Sequence, residues 1–169
     1  MDVSKMPTLK TKRLTLREPT VDDWPKYAEL MASDRSIYMG GPFSKNGAWG
    51  LFCSDIAQWS LMGHGALMID DTKSGECLGQ VGINHGPLFP EHELGWLIYP
   101  AAEGRGYAFE AAIALKQWAF RELKLKTLVS YIDPLNVRSC NLAERLGAEL
   151  DPKAPRPDVT DLVYRHPIV

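Results

Sequence analysis

Two glycines separated by one residue, Gly104 and Gly106, lie where the sequence predicts that a strand passes into a helix. The apolar pattern predicts the strand over residues 93–99 and the helix over residues 106–123. A helix N-terminus carries unpaired N–H groups and the positive end of the helix dipole, so it is suited to phosphate oxygens. Because Gly106 and Ala108 have almost no side chain, an anion can approach these amides closely. The segment therefore predicts a site for a diphosphate-bearing ligand, although the same glycines can also serve only to shape a tight turn.

A dinucleotide-binding motif is one alternative for this glycine segment, and the sequence argues against it. That motif has a third glycine, and Phe109 occupies its place here. It also usually lies in the first strand-to-helix turn of a longer alternating fold, whereas too few residues follow here for several more such units. We therefore exclude the dinucleotide interpretation.

The rest of the chain alternates between predicted strands and helices. Alternating or continuous apolar runs, bounded by turn residues, predict strands over residues 14–18, 66–69, 77–84, 93–98, 127–132 and 162–165. Apolar residues at three- and four-residue steps predict helices around residues 24–31 and over 46–61, 106–123 and 137–146. Turn-rich connections join the three strands between residues 66 and 98, which favours antiparallel pairing of consecutive strands.

Composition limits the kind of protein that this chain can be. Its 169 residues suit one domain over 1–169, and 45% hydrophobic with 24% charged residues is ordinary for a globular protein. The net charge of -2 gives no reason to expect nucleic acid binding. Residues 1–7 contain no apolar run of the kind a signal peptide has, and no apolar window is long enough to span a membrane. The three cysteines are scattered along the sequence. These features together suit a protein of the reducing cytoplasm. The four histidines show no ligand spacing, so no metal site is expected.

Segments spread along the chain resemble the GNAT superfamily of acetyl-CoA-dependent N-acetyltransferases, and within it the ribosomal-protein-alanine acetyltransferase-like branch. Residues 9–17 are similar to that branch's opening strand. Residues 93–111, which contain the sequence Gly-Arg-Gly-Tyr-Ala, are similar to its pyrophosphate loop. Residues 133–147 resemble its second cofactor segment, and residues 163–167 resemble its tail. Each similarity is modest, but the set is ordered and spaced as in that branch.

This resemblance implies both a fold and an activity. The expected fold is a single α/β domain with a mixed, mostly antiparallel twisted sheet of six or seven strands, splayed at the centre and flanked by about four helices. The expected activity is transfer of an acetyl group from acetyl-CoA to a primary amine of a protein N-terminus or small molecule, by direct attack in a ternary complex. The alternative is an acyl-CoA-binding protein without catalysis. Acetyl-CoA and an amine acceptor are the expected partners, and a homodimer is left open.

The resemblance also implies which residues bind the cofactor. The loop residues expected to hold the diphosphate are Arg105, Gly106, Tyr107, Ala108 and Phe109. The amide of Leu97 or Ile98 is the candidate donor to the thioester oxygen. Asn136 matches the asparagine that holds the pantetheine arm, and a helix cap is its alternative or additional role. Glu103 departs from the family pattern of Gln or Arg, so weaker cofactor binding is expected unless Glu103 points away or pairs with Arg105.

Candidates for proton transfer come from position and from the resemblance together. The acceptor amine must lose a proton before it attacks, and Glu93 is the first candidate for the base, ahead of His85. Each of them is also interpretable as a surface residue beside a turn. Ser139 matches the serine expected to supply a proton or hydrogen bond to the leaving thiolate, with Tyr131 in reserve. Its alternative role is that of a first-turn helix serine.

An acceptor pocket is expected beside the second predicted helix. The aromatic and aliphatic residues of that helix form first of all a packing face. Its outer edge, together with residues 38–43, is predicted to wall the acceptor pocket, and the aromatic content suits an apolar or planar acceptor.

Overall fold

The computed structural model of the chain describes residues 6–169, so part of the segment examined for a signal peptide, residues 1–5, lies outside the described residues. Eight strands form one sheet: β1 (Leu9–Lys10), β2 (Leu14–Arg17), β3 (Ala66–Asp71), β4 (Cys77–Asn84), β5 (Glu93–Ile98), β6 (Val129–Ile132), β7 (Glu149–Leu150) and β8 (Leu162–Arg165). The α-helices are α1 (Trp24–Ala32), α2 (Lys45–Met62), α3 (Tyr107–Glu122) and α4 (Val137–Arg145). Within the described part of the chain, none of these helices has the length and apolar character needed to cross a membrane.

The strand order in the sheet is β1-β2-β3-β4-β5-β6-β8-β7. β5 and β6 are parallel, and the other neighbouring pairs are antiparallel. The β4–β5 ladder extends from Asn84↔Glu93 to Gly79↔Ile98. β5 and β6, in contrast, are paired at Glu93↔Val129 and then separate. Their separation opens a cleft in the middle of the sheet, and over most of the length of β5 no strand of residues 6–169 pairs with the edge that faces this cleft.

The predicted fold class is confirmed, because the chain forms a single α/β sheet structure that is mixed, mostly antiparallel and splayed at its centre. The sheet has eight strands rather than six or seven, since β1 and β7 were not predicted. A strand of two residues cannot show the alternation from which strands are predicted. The other predicted strand and helix boundaries agree with the structure to within two residues.

Helices cover both faces of the sheet, and β5 contributes to the core on each face. The core that joins α3 to the sheet contains Leu94, Ala111, Leu115 and Ala119. The core that joins α1 and α2 to the sheet contains Tyr27, Met31, Phe52 and Leu97. Because successive side chains of a strand point to opposite faces, even-numbered residues of β5 face α3 and odd-numbered residues face α1 and α2. Glu93 therefore projects on the side of α1 and α2.

Candidate active site

A cavity of about 720 Å³ lies in the cleft beside β5, between the glycine segment and α4. Seven of the eight predicted cofactor-binding residues line it: Leu97, Ile98, Gly106, Tyr107, Ala108, Phe109 and Asn136. Ser139 lines it as well, as do Tyr38 and Met39 from the segment predicted to wall the acceptor pocket. The side chains of Glu93 and Arg105 are not among the lining groups.

The glycine segment presents free amides to the cavity. Gly104 and Gly106 have φ values of 77° and 78°, a left-handed conformation that side chains other than glycine rarely adopt. Gly106 is the N-cap of α3, and the helical hydrogen bonds begin with the Glu110 N–H donating to the Gly106 carbonyl at 3.1 Å. The N–H groups of Tyr107, Ala108 and Phe109 consequently have no carbonyl partner within the helix. These are the amides at which the sequence predicts that an anion binds.

Arginines from elements other than the glycine segment surround the cavity. Arg35, Arg138 and Arg145 line it, whereas Arg105 is exposed and is not among the lining residues. Pairing with Arg105 is one of the two ways in which Glu103 is expected to be compatible with cofactor binding, but its partners within the described residues are other arginines. Glu103 forms ion pairs with Arg35 and with Arg138, the latter at 2.8 Å between Nη1 and Oε2. The carboxylate is thus neutralised by two cavity-lining cations, one from each side of the cleft.

The main-chain direction of β5 distinguishes the two predicted donors to the thioester oxygen. The Tyr99 N–H donates to the Leu78 carbonyl on β4 at 2.8 Å. N–H groups two residues apart in a strand point to the same side, so the Leu97 N–H also points to β4. The prediction for the Leu97 amide is therefore wrong, although the residue lines the cavity. The N–H groups of Ile98 and Trp96 point into the cleft, so Trp96 offers a second main-chain donor beside the predicted Ile98.

Ser139 and Asn136 are held together at the start of α4. The Asn136 side-chain oxygen accepts a hydrogen bond from the Ser139 N–H at 3.3 Å, which is the helix-capping role left open by the sequence. The Ser139 hydroxyl oxygen accepts a hydrogen bond from the Trp96 indole N–H at 3.2 Å. Because this bond uses an oxygen lone pair, the hydroxyl proton of Ser139 stays free to be donated into the cleft.

Glu93 lies at the closed end of the cleft, where β5 and β6 are still paired. It is half-buried, and burial raises the pKa of its carboxyl to about 7. Hydrogen bonds from the Asn84 side chain (3.1 Å) and from the Tyr131 main-chain N–H act in the opposite direction and lower the pKa. A carboxyl with this pKa can take up and release a proton near neutral pH.

A chain of side-chain amides orients this carboxyl. Gln58 of α2 donates from Nε2 to the Asn84 side-chain oxygen at 3.1 Å, and Asn84 donates from Nδ2 to Glu93 Oε1 at 3.1 Å. The other end of Gln58 accepts the His85 main-chain N–H at 3.0 Å. Gly95 leaves room for this arrangement, since a Cβ at that position would lie 3.4 Å from Glu93 Oε1. The carboxyl is therefore fixed by three different elements of the fold.

Asp55 of α2 is a second carboxyl on the same side of the sheet. Burial, followed by the negative charge of Glu93, raises the pKa of Asp55 to about 7. When two carboxyl groups repel each other, they lose their protons in two steps, and the apparent pKa values of these steps describe the pair rather than either residue. When ionised, the two carboxylates concentrate negative charge on this side of the sheet.

The two reserve candidates lie outside the cavity lining. The Tyr131 hydroxyl accepts the Glu91 main-chain N–H at 3.1 Å, which places it near the start of β5 rather than beside Ser139. His85 stacks on His92 with ring centroids 4.1 Å apart. Its main chain joins the Gln58 network, but no contact of its ring with Glu93 is found within the described residues 6–169.

The sequence did not predict four residues that belong to this site: Asp55, Gln58, Asn84 and Arg35. A partial signal existed for two of them, because Asp55 and Gln58 interrupt the apolar face of α2 that also carries Phe52 and Trp59. Polar residues on a buried helix face need partners. The partners of Gln58 are Asn84 at the end of β4 and the main-chain N–H of His85, which the helix pattern cannot identify.

Comparison with known proteins decides the family. The sequence model described as "Acetyltransferase (GNAT) domain" matches residues 13–149 of the chain. The chain belongs to the GNAT acetyltransferase family. An acetyltransferase from Agrobacterium tumefaciens str. C58 is 59% identical, with a TM-score of 0.94 over 96% of this GNAT chain and 95% of that one.

Other GNAT relatives are more distant. The "Uncharacterized N-acetyltransferase YnaD" of Bacillus subtilis (strain 168) is 34% identical over 61 residues, which cover 35% of this chain and only 36% of that relative. RimL, a ribosomal L7/L12 alpha-N-protein acetyltransferase solved with coenzyme A, is 16% identical with a TM-score of 0.75 over 96% of this chain and 98% of that one. A spermidine N-acetyltransferase from Vibrio cholerae, solved with CoA and spermine, is 16% identical with a TM-score of 0.71 over 92% and 94% of the two chains. These two likenesses show the GNAT fold.

Proposed function

We propose that this GNAT protein transfers an acetyl group from acetyl-CoA to a primary amine by direct attack in a ternary complex. The observation that carries the proposal is the cleft between β5 and β6. The free helix amides and Ser139 line its cavity, and Glu93, whose pKa burial raises to about 7, lies outside this lining at the closed end, where β5 and β6 are still paired. No single one of these features specifies acyl transfer, but their order along one cleft matches what the reaction requires.

Acetyl-CoA fits the polar groups that the cleft offers. The free amides of Tyr107 to Phe109 suit the diphosphate, and Arg145 adds positive charge beside them. The edge of β5 that faces the cleft can bind the amides of the pantetheine arm as an added strand would. The Asn136 side-chain oxygen caps α4, and the NH₂ group of the same side chain is available to hydrogen bond with the arm. When bound, acetyl-CoA supplies the acetyl group as a thioester. The Ile98 and Trp96 N–H groups are the main-chain donors that face this cofactor.

Glu93 is proposed to accept the proton of the incoming ammonium group. Its carboxylate form predominates above about pH 7, where its affinity for a proton is still considerable. The Asn84 and Gln58 amides keep its oxygens in one orientation, so the base does not have to be ordered when the acceptor arrives. Asp55 supplements the attraction for a cationic amine. His85 remains the alternative base.

Ser139 is proposed to donate its hydroxyl proton or a hydrogen bond to the departing thiolate. The Trp96 indole N–H holds the Ser139 oxygen from the opposite side, which directs the hydroxyl hydrogen away from Trp96. Ser139 therefore acts on the group that leaves, while Glu93 acts on the group that attacks.

The acceptor is proposed to be a protein N-terminus or a small-molecule amine. Tyr38 and Trp49 are each 43% exposed near this side of the molecule, and Trp49 meets Trp24 edge-on with ring centroids 5.0 Å apart. These aromatic rings support an acceptor with an apolar or planar part next to its amine. A homodimer and a cytoplasmic location stay predictions.

The test is release of free CoA thiol from acetyl-CoA by the full chain in buffer with EDTA. The panel contains peptides with free N-termini, polyamines and small aromatic amines, and N-acetylated peptides serve as controls without an acceptor amine. We expect at least one amine to accelerate thiol release well above hydrolysis. If CoA raises the melting temperature but no amine on a broad panel accelerates release, the chain is an acyl-CoA-binding protein instead.

A further inference from the structure

Three of the four histidines converge at one end of the β4–β5 hairpin. Asn84 and Glu93 are register partners, so the next residues outward, His85 and His92, face each other across the hairpin. His64 joins them because α2 ends at Gly63, whose left-handed φ of 77° turns the chain back towards β4. The sequence predicts no metal site because the histidines do not follow a metal-ligand spacing along the chain. The fold nevertheless brings three of them close together in space.

The ligand atoms of the three rings are close together. One ring nitrogen from each of His64, His85 and His92 lies within 4.8 Å of those from the other two. The His92 ring is stacked on His85 at 4.1 Å between centroids and meets His64 edge-on at 5.2 Å. Each ring therefore contacts at least one other ring of the cluster.

His64 is already oriented as a metal ligand would be. It is buried, and its Nδ1–H donates to the Ile83 carbonyl at 2.9 Å, so its Nε2 carries the free lone pair. An outer hydrogen bond of this kind fixes the tautomer and ring orientation of metal-bound histidines.

We propose that His64, His85 and His92 bind one divalent first-row transition metal ion, for which Zn²⁺ is the natural probe. Imidazole nitrogens suit Zn²⁺, Cu²⁺ and Ni²⁺, whereas Mg²⁺ and Ca²⁺ prefer oxygen ligands, and this cluster consists of imidazoles alone. Three protein nitrogens leave the fourth tetrahedral position to water or to an external ligand. The ion joins the end of α2 to both strands of the hairpin.

The movement needed to close the site is small. Zn–N bonds of about 2.0–2.1 Å place tetrahedral ligand nitrogens roughly 3.3–3.4 Å apart. The nitrogens now lie within 4.8 Å, so ring rotations that shorten the separations by about 1.5 Å or less complete the site. Since His64 is fixed to Ile83, we assign this movement to His85 and His92, which are only half-buried.

The experiment uses the full chain without an affinity tag, freed of metal by a chelator and titrated with Zn²⁺ in a calorimeter. We expect one Zn²⁺ per chain and a rise in melting temperature of roughly 5–10 °C at a hundredfold excess over Kd. Mg²⁺ is expected to produce no such rise. Co²⁺ is expected to give the intense visible absorption of a tetrahedral nitrogen site.

Three variants identify the ligands. His64→Asn keeps a donor to the Ile83 carbonyl but removes Nε2, while His85→Asn and His92→Asn remove the other two nitrogens. Each is expected to weaken Zn²⁺ binding by about 10²-fold or more, beyond the loss typical of outer-sphere partners. Cys53→Ser, which removes a half-buried thiol elsewhere, is expected to bind as wild type. Absence of Zn²⁺ binding by the wild type, or wild-type affinity in all three histidine variants, overturns the site. Neither outcome affects acetyl transfer measured in EDTA.

Discussion

Asn84 and Glu93 are cross-strand neighbours whose side chains are also hydrogen bonded. They form the register pair at the end of the β4–β5 ladder, and the Asn84 amide donates to Glu93 Oε1 at 3.1 Å. Backbone pairing thus sets the distance between the two side chains, and Gln58 sets which end of the Asn84 amide faces the carboxyl. The candidate base is oriented by the sheet itself.

Replacing Glu93 by Gln is expected to lower the rate of acetyl transfer by roughly 10²-fold, because it removes the base while keeping its volume. The wild type should lose activity as the pH falls through about 7, since the raised pKa leaves Glu93 protonated below that value. The variant should lack this acidic limb and recover in part at high pH, where more amine arrives deprotonated. Rate–pH profiles of the metal-free enzymes test this, and an unchanged rate with the same limb would assign the base to His85 or water.

Replacing Asn84 by Ala is expected to move the acidic limb of the pH profile to higher pH. The Asn84 hydrogen bond favours the carboxylate, so its loss raises the pKa of Glu93 further. The exposed Asn46→Ala on α2 serves as the control and should leave the limb in place. A limb that stays fixed in Asn84→Ala would show that another group controls the profile.

Replacing Gly106 by Val is expected to abolish the rise in melting temperature that CoA produces, because the side chain covers the free amides of α3. The matched control is Gly75→Val, since Gly75 has a similar φ of 74° in the exposed β3–β4 turn. Both variants carry about 1–2 kcal/mol of left-handed backbone strain. Thermal melts with and without CoA compare them. Retention of the CoA shift in Gly106→Val would place the diphosphate elsewhere.

Replacing Ser139 by Ala is expected to lower kcat by about 10²-fold with little change in the Kd for CoA, because a group acting on the leaving thiolate works mainly in the transition state. Trp96→Phe removes the indole N–H that orients Ser139 and should lower kcat less. In the Ser139→Ala background, Trp96→Phe should have no further effect on kcat. Additive losses in this double-mutant cycle would mean that Trp96 does not act through Ser139.

Replacing Glu103 by Gln is expected to tighten CoA binding by about fivefold at low salt, because Arg35 and Arg138 then lose their competing carboxylate. The gain should shrink as salt screens the arginines. Glu122→Gln at the far end of α3 makes the same change in net charge and should leave the affinity unchanged. Calorimetric titration at two salt concentrations makes the comparison. Weaker binding in Glu103→Gln would show that the carboxylate positions the arginines for the ligand.

The sequence predicted the parts of the site that are local in the chain. The glycine segment and the helix after it are consecutive, so their joint geometry follows from residues 103–111 alone. The partners of Glu93 are not local: Asn84 is fixed by hairpin register and Gln58 by the packing of α2 on the sheet. The same holds for Arg35, which reaches Glu103 across the cleft.

The sequence also does not determine the side of a strand to which each main-chain N–H group points. It could place Leu97 and Ile98 on one strand, but only the ladder with β4 shows which of their N–H groups is already used. The histidine cluster could not be predicted for a related reason. Metal-ligand motifs are recognised by their spacing along the chain, whereas these three rings are brought together by a hairpin and the end of a helix.

The early separation of β5 and β6 also divides the sheet into two independently hydrogen-bonded halves. One half comprises β1 to β5, the other β6, β8 and β7. The links between them include the Glu93↔Val129 pair, the Tyr131 main-chain N–H at the Glu93 carboxyl, and the Ser130 hydroxyl donating to the Leu94 carbonyl at 2.6 Å. A rotation about this junction therefore breaks none of the hydrogen bonds within either half. The cost of widening the groove falls instead on side-chain contacts between the two halves, such as the hydrogen bond from the Trp96 indole on β5 to the Ser139 hydroxyl on α4.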